Sequence, residues 1–202
     1  MNESLYISPQ YTKQRFLDLN LKVNSSETVW DIALEIFKDR ITNRFLTQIE
    51  NLSKENTRVN AFAIMALNCF LVETLYQFKN GLAKTQKTKN PNNNRSSEGY
   101  TYAVFLEEIL GPNVSENLRI EFYKNIRCGI LHSAQTQEKS YLCYTGQAVY
   151  KDNDGYLAVN VKEFFNLLRQ YYQNYMHQLR HNTNPILRKN FIKKMNLICQ
   201  RN

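Results

Sequence analysis

Apolar residues recur at steps of three and four through Trp30, Leu34, Phe37, Ile41, Phe45, Ile49 and Leu52. That period paints one stripe along a long helix, with Asp39, Arg40, Asn43 and Arg44 on its other face. Ser25-Ser26-Glu27-Thr28 supplies capping residues ahead of it, with Glu27 where the macrodipole favours an acid. The pattern predicts a second helix from about Arg58 to Asn80, ended by Gly81. It is apolar nearly all round, as the central helix of a bundle is, and yet it carries Asn68 and Glu73. A carboxylate in such surroundings is costly unless a cation meets it. Glu73 is therefore expected either in a satisfied core salt bridge or in positioning an active-site group.

Residues 81–98 read as a loop, since Pro91-Asn92-Asn93-Asn94 suits turns better than helix or central strand. A third helix is expected from about Tyr100 to Leu110, stopped by Gly111-Pro112. Asn113 or Ser115 caps a fourth, through Leu118, Phe122 and Ile126. Residues 141–160 change period: Tyr141–Thr145 and Gln147–Tyr150 are strand-like, Asp152–Gly155 is a turn, and Tyr156–Val159 is extended again. From Val161 the helical period returns, with Phe164, Phe165, Leu168, Tyr171, Tyr172 and Tyr175 on one broad face, and Pro185 opens a basic C-terminal helix at about 185–201. Residues 1–24 are mixed, broken at Ser8-Pro9, and give no firm element. The expected fold is all-α, a bundle of about five to six helices with a small β-hairpin insertion near residues 141–160. No repeat or linker divides it, so residues 1–202 are expected to form a single domain.

Composition narrows the class. With 43% apolar and 12% aromatic residues the chain has the material for a core, which excludes a disordered tail. The longest nearly apolar run, Ala61 to Val72, contains Asn68 and falls short of the roughly 20 residues that span a bilayer, so no membrane segment is expected. Met1-Asn2-Glu3-Ser4 lacks the basic start of a signal peptide, which suggests a cytoplasmic protein. Cys69, Cys128, Cys143 and Cys199 are far apart, without a Cys-x-x-Cys pair, so neither a zinc site nor a disulfide framework is expected.

Charge points to a partner. Lys and Arg number 26 against 18 acids, a formal net charge of +8. The excess is clustered. Lys79, Lys84, Lys87, Lys89 and Arg95 fall in one acid-free stretch, and Arg180, Arg188, Lys189, Lys193, Lys194 and Arg201 in another. Solvated surface is the plain reading. An anionic partner is the sharper one, and a phosphate backbone is the commonest such partner. Lys84, Lys87, Lys89, Arg95, Lys189, Lys193 and Lys194 are the expected contacts to such a backbone.

Most catalytic signatures are absent. There is no glycine-rich phosphate loop and no paired-histidine metal helix with a carboxylate third ligand; His177 and His181, four apart, read as surface. His132 differs. It stands in Arg127-Cys128-Gly129-Ile130-Leu131-His132-Ser133-Ala134. This segment resembles the R-x4-6-H motif of the HEPN superfamily, and is similar to the Arg-x-Gly-Leu-Leu-His-x-Ala form of some bacterial members. It sits late in an all-α chain, as in that family. Two upstream segments also look like helices of such proteins: Phe37–Ile41 with Arg44-Phe45, and Ala66–Leu75. The resemblance covers roughly residues 28–180.

Metal-free RNA cleavage needs a base for the ribose 2′-OH, an acid for the departing 5′-oxygen, and a cation for the charge gathering on phosphorus. Histidine can fill either proton role, and arginine stays charged and grips two phosphate oxygens. On a regular helix five positions turn through about 140°, so Arg127 and His132 do not stack. Gly129 between them allows a bend or a close approach. The resemblance implies a homodimer whose two motifs share one cleft, which would supply two histidines and two arginines.

The first reading is thus a metal-independent endoribonuclease without cofactor, with Arg127 and His132 catalytic and Glu73, Asn125 and Ser133 supporting. The resemblance further implies a toxin or antiphage effector restrained by an antitoxin or regulatory partner. The second reading is a non-catalytic module binding RNA, a nucleotide or a protein, with Arg127 serving only as ion partner to Glu73 or Glu121. A plain dimerisation scaffold ranks third.

Overall fold

The described residues are 5–55 and 57–200 of this computed structural model, so Met1–Ser4 and Arg201 lie outside them. A short helix α1 (Lys13–Leu17), capped by the Thr12 hydroxyl, precedes the first long helical run. That run comprises α2 (Glu27–Ile41), a π-helical turn (Thr42–Leu46) and α3 (Thr47–Leu52). The Trp30 stripe is its buried side: Trp30, Leu34, Phe37, Ile41 and Ile49 are all essentially inaccessible. α4 (Arg58–Asn80) has the expected bounds. By length and composition α4 would also suffice to cross a membrane, and Ile64, Met65, Cys69, Leu71, Val72 and Phe78 along it are buried within the protein.

Residues 81–98 are more ordered than a loop. Strands β1 (Thr88–Lys89) and β2 (Ser96–Ser97) pair antiparallel around the Pro91–Asn93 turn. The anchor is Thr101, whose hydroxyl accepts from the Thr88 N–H at 2.8 Å and donates to the Gln86 carbonyl at 2.7 Å. Ser97 then caps α5 (Glu98–Leu110). Ser115 caps α6 (Glu116–Glu121), which continues through a second π-helical turn (Phe122–Cys128) into α7 (Gly129–Ser133).

The strand-rich insertion goes beyond a hairpin. β4 (Val149–Lys151) and β5 (Leu157–Asn160) form the expected antiparallel pair, and β3 (Ser140–Cys143) joins the far edge of β5 in parallel, giving the order β3-β5-β4. Asp152 builds the turn, its carboxylate accepting from the N–H groups of Asp154 and Tyr156. The chain closes with α8 (Val161–Arg180) and α9 (Pro185–Gln200). The protein is therefore mostly helical with small β elements, as the hydrophobic pattern predicts.

Two compact units make up the chain. One comprises Met1–Gln48, Thr74–Lys84 and Tyr172–Asn202, and the other Ile49–Glu73 and Thr85–Tyr171. Three of the divisions fall inside continuous helical runs, not at linkers. The first unit is built on aromatic packing: Phe37 has ring centroids at 4.4 Å from Phe78, 5.3 Å from Phe191 and 6.0 Å from Tyr172. Arg188, 5% exposed, lies across Trp30 at 4.2 Å. It donates to the carbonyls of Leu179, Arg180 and Val23 at 2.7, 2.7 and 3.0 Å. Two of these are orphan carbonyls at the end of α8, so a buried cation finishes that helix where its dipole favours one.

The second unit stacks Phe122 on Phe164, with centroids 5.1 Å apart and planes at 3°. Arg119 plays the part there that Arg188 plays in the first. Its Nε donates to the Ala103 carbonyl at 2.9 Å, a terminal nitrogen pairs with Glu107 at 2.7 Å, and another bonds the Val114 carbonyl. Removing such a cation leaves buried carbonyls unpaired. Arg188→Leu is expected to cost about 3 kcal/mol of stability, read as a lower denaturant midpoint. An unchanged midpoint would mean that water satisfies those carbonyls equally well.

Candidate functional site

The Arg-x4-His segment occupies the run from α6 to α7, in the second unit. A π-helical turn holds one residue more than an α turn, so one carbonyl loses its partner within the helix. Here the Gly129 N–H bonds the Ile126 carbonyl, which leaves the Asn125 carbonyl free of it. Asn125 O instead accepts from the Gln137 N–H at 2.9 Å. The chain reaches that position because Ala134 adopts the left-handed conformation (φ 53°), ending α7 and turning Gln135–Gln137 back over the helix. Gly129 is the point of closest approach. A Cβ there would stand 2.5 Å from the Gln135 carbonyl oxygen and 3.0 Å from Gln137 Cγ. The glycine between Arg127 and His132 thus admits a backbone strap that fixes the π turn.

Arg127 points inward. Its guanidinium pairs with Glu73 of α4 at 2.5 Å, and the two side chains are 15% and 23% exposed, so the charges are sheltered together. The guanidinium carbon also lies 5.4 Å from the centroid of the Tyr123 ring, one helical step back. Arg127 Nε is buried without a partner among the described residues. Burial opposes the positive charge, and the Glu73 carboxylate outweighs it, so the Arg127 pKa lies above its ordinary value. Glu121, the other candidate acid, pairs with Lys151 instead.

Around the pair lies a layer of tyrosines and thiols. Burial pushes the Cys69 thiol up to about 12, and Tyr102, which faces it, well above the usual phenol value. Burial and the neighbouring Cys128 push Tyr123 up to about 12, so its hydroxyl keeps its proton. Asn68, fully buried on α4, has both ends of its amide unpartnered among the described residues.

His132 is exposed at the end of α7, and among the described residues its side chain has no hydrogen bond or ion pair. Ser133 beside it is exposed, whereas Asn125 is 3% exposed and contributes its carbonyl to the strap. The fold thus brings Arg127 to Glu73 and leaves His132 facing solvent. Of the expected RNA contacts, Lys87, Lys89 and Arg95 are exposed in the motif's own unit. Lys84, Lys189 and Lys193 are exposed in the other unit. Lys194 differs: it is 7% exposed, and its ammonium donates to Gln77 Oε1 at 2.7 Å, so it serves the interior of its unit. His177 and His181 lie exposed at the end of α8 and just beyond it, their rings tilted against each other with centroids 4.3 Å apart. No group of three or more His, Cys, Asp or Glu stands together among the described residues.

Tyr123 is the site residue that sequence reasoning missed. Its signal was present: it precedes Arg127 by four positions, the spacing at which helical side chains meet. Comparison with family models, with curated proteins and with solved structures yields no match.

The sheltered pair invites a double-mutant cycle. Glu73→Ala leaves a half-buried guanidinium uncompensated and is expected to cost about 2 kcal/mol. Arg127→Met with Glu73→Ala together should cost clearly less than those two changes made singly and summed, measured by urea unfolding. Strict additivity would show that the pair contributes no coupling. Gly129→Ala, which drives a methyl into the strap, is expected to lower stability by about 1–3 kcal/mol, whereas Gly155→Ala, where a Cβ meets nothing within 4 Å but φ is +77°, tests backbone strain alone.

Proposed function

We propose that this protein is a metal-independent endoribonuclease of the HEPN type, acting as a homodimer. One observation carries the reading: a single helical run bears an inward, acid-oriented Arg127 and a free, solvent-facing His132, separated by a glycine on which the backbone closes. In this reading Glu73 is a positioning residue, setting the fork of Arg127 so that its remaining donors meet the scissile phosphate. A histidine removes the ribose 2′ proton as O2′ bonds to phosphorus. The bond from phosphorus to O5′ breaks, and O5′ takes a proton from an acid. The products carry a 2′,3′-cyclic phosphate and a 5′-hydroxyl. One chain offers one His132, and a second copy supplies the second proton-transfer group.

RNA would be gathered by Lys87, Lys89 and Arg95, which are exposed in the unit that holds the motif. A toxin or antiphage role, with a partner that restrains the nuclease, belongs to the same proposal.

A second reading is favoured by the same ion pair. If the Glu73 bond satisfies Arg127 structurally, the protein binds RNA or a nucleotide without cutting it. The two separate cleanly in one assay. Purified protein is incubated with mixed RNA in EDTA, beside Arg127→Ala and His132→Ala. The nuclease reading expects cleavage with cyclic-phosphate ends, reduced by about 100-fold or more in each variant. Salt-sensitive binding with no cleavage supports the binding module. Equal cleavage by all three proteins overturns the assigned residues.

A further inference from the structure

The second unit contains a cavity of about 540 Å3, within the range of about 300–1,000 Å3 that small-molecule sites occupy. Tyr123 lines it together with Lys87, Asn90, Ser97, Tyr100 and Lys124. Three features set its chemistry. The first is an aromatic ring fixed in advance. Gly99 lies so close to Tyr123 that a Cβ there would come within 2.8 Å of the ring carbons, Tyr102 packs on it at 5.3 Å, and the Arg127 guanidinium stands 5.4 Å away. A ring already held loses little freedom on binding a flat partner. The second is charge: Lys87 and Lys124 are both exposed side chains, with Glu98 the acid among the lining residues. The third is a set of short hydrogen-bonding groups, of which Asn90 is 8% exposed and ordered by its bond to the Asn92 N–H.

A fixed aromatic ring, two cations and small amides and hydroxyls match the three parts of a nucleotide: a flat base, a phosphate and a polar edge. Tyr123 also joins this cavity to the motif, because the ring that lines it is the ring beside Arg127. We propose that the cavity holds one nucleotide of an RNA strand, its base against Tyr123 and its phosphate between Lys87 and Lys124; that the nucleotide belongs to an RNA being cut rests on the ribonuclease reading. The cavity would then give a base preference beside the scissile phosphate, which a purely electrostatic groove does not.

The test separates the cavity from the cleavage. Binding of 5′-AMP, 5′-GMP, 5′-CMP and 5′-UMP is titrated calorimetrically against wild type, His132→Ala, Tyr123→Leu and Lys87→Glu/Lys124→Glu, with inorganic phosphate as competitor. Saturable binding of at least one nucleotide is expected in wild type and in His132→Ala. Affinity should fall about tenfold in Tyr123→Leu through lost stacking, and binding should vanish in the double lysine variant. Both lysines are exposed, so that variant keeps its fold and decides the matter even if Tyr123→Leu unfolds. Absence of nucleotide binding, binding indifferent to the lysine reversals, or equal displacement by inorganic phosphate would overturn the proposal. Nucleotide binding with RNA left intact supports the cavity and sinks the ribonuclease reading. Cleavage that needs Arg127 and His132 without any nucleotide binding does the reverse.

Discussion

A charge placed in a sheltered position demands a partner, and the Arg127–Glu73 pair is where that demand shapes the second unit. Both side chains are mostly covered, so neither could be ionised there alone at tolerable cost. The pair therefore ties the motif run to α4 and sets which face of that run looks inward. Tyr123, four positions earlier, is drawn to the same side and lies under the guanidinium. Once that face is fixed, the π turn, the Gly129 approach and the strap from Gln135 to Gln137 determine how α7 departs and leave His132 outside. The arrangement is asymmetric. The fold spends its interactions on the arginine, and the histidine's surroundings are left to whatever docks there.

Buried cations recur throughout the chain and change what its charge means. Arg188 finishes α8, Arg119 binds the Ala103 carbonyl and the Glu107 carboxylate of α5, Lys194 meets Gln77, and Arg127 meets Glu73. Each binds a carbonyl or carboxylate inside its own unit. Part of the +8 excess thus has a structural use, and it cannot all be counted as surface for a phosphate backbone. The exposed cations of the motif's own unit, Lys87, Lys89, Arg95 and Lys124 among them, are fewer than the total suggests.

Much of the helical architecture was legible in the chain, because amphipathic stripes and stop residues are local signals. α4 has the bounds that its apolar content and Gly81 predict, and Ser115 caps α6 as expected. Features with distant partners were not legible. β3 pairs in parallel with β5 across an intervening strand, which no local alternation announces. The β1–β2 ladder depends on Thr101, more than ten residues from the Thr88 it holds. The π turn exists because a strap from beyond Ala134 supplies a partner for the Asn125 carbonyl. Glu73 and Glu121 were equal candidates for Arg127 until Lys151, on the strand insertion, engaged Glu121.

The same distinction bears on the site. A motif of an arginine and a histidine says nothing of which one the fold will hold. Here the held group is the arginine, paired with Glu73, and the free group is the solvent-facing histidine. A free imidazole gains direction only from a neighbour that accepts or donates to its second nitrogen, and no described residue of its own chain does so. The geometry of Arg127 and Glu73 is complete within one chain, whereas the His132 side chain has no partner among the described residues, so the fold orients the arginine and leaves the imidazole free to turn.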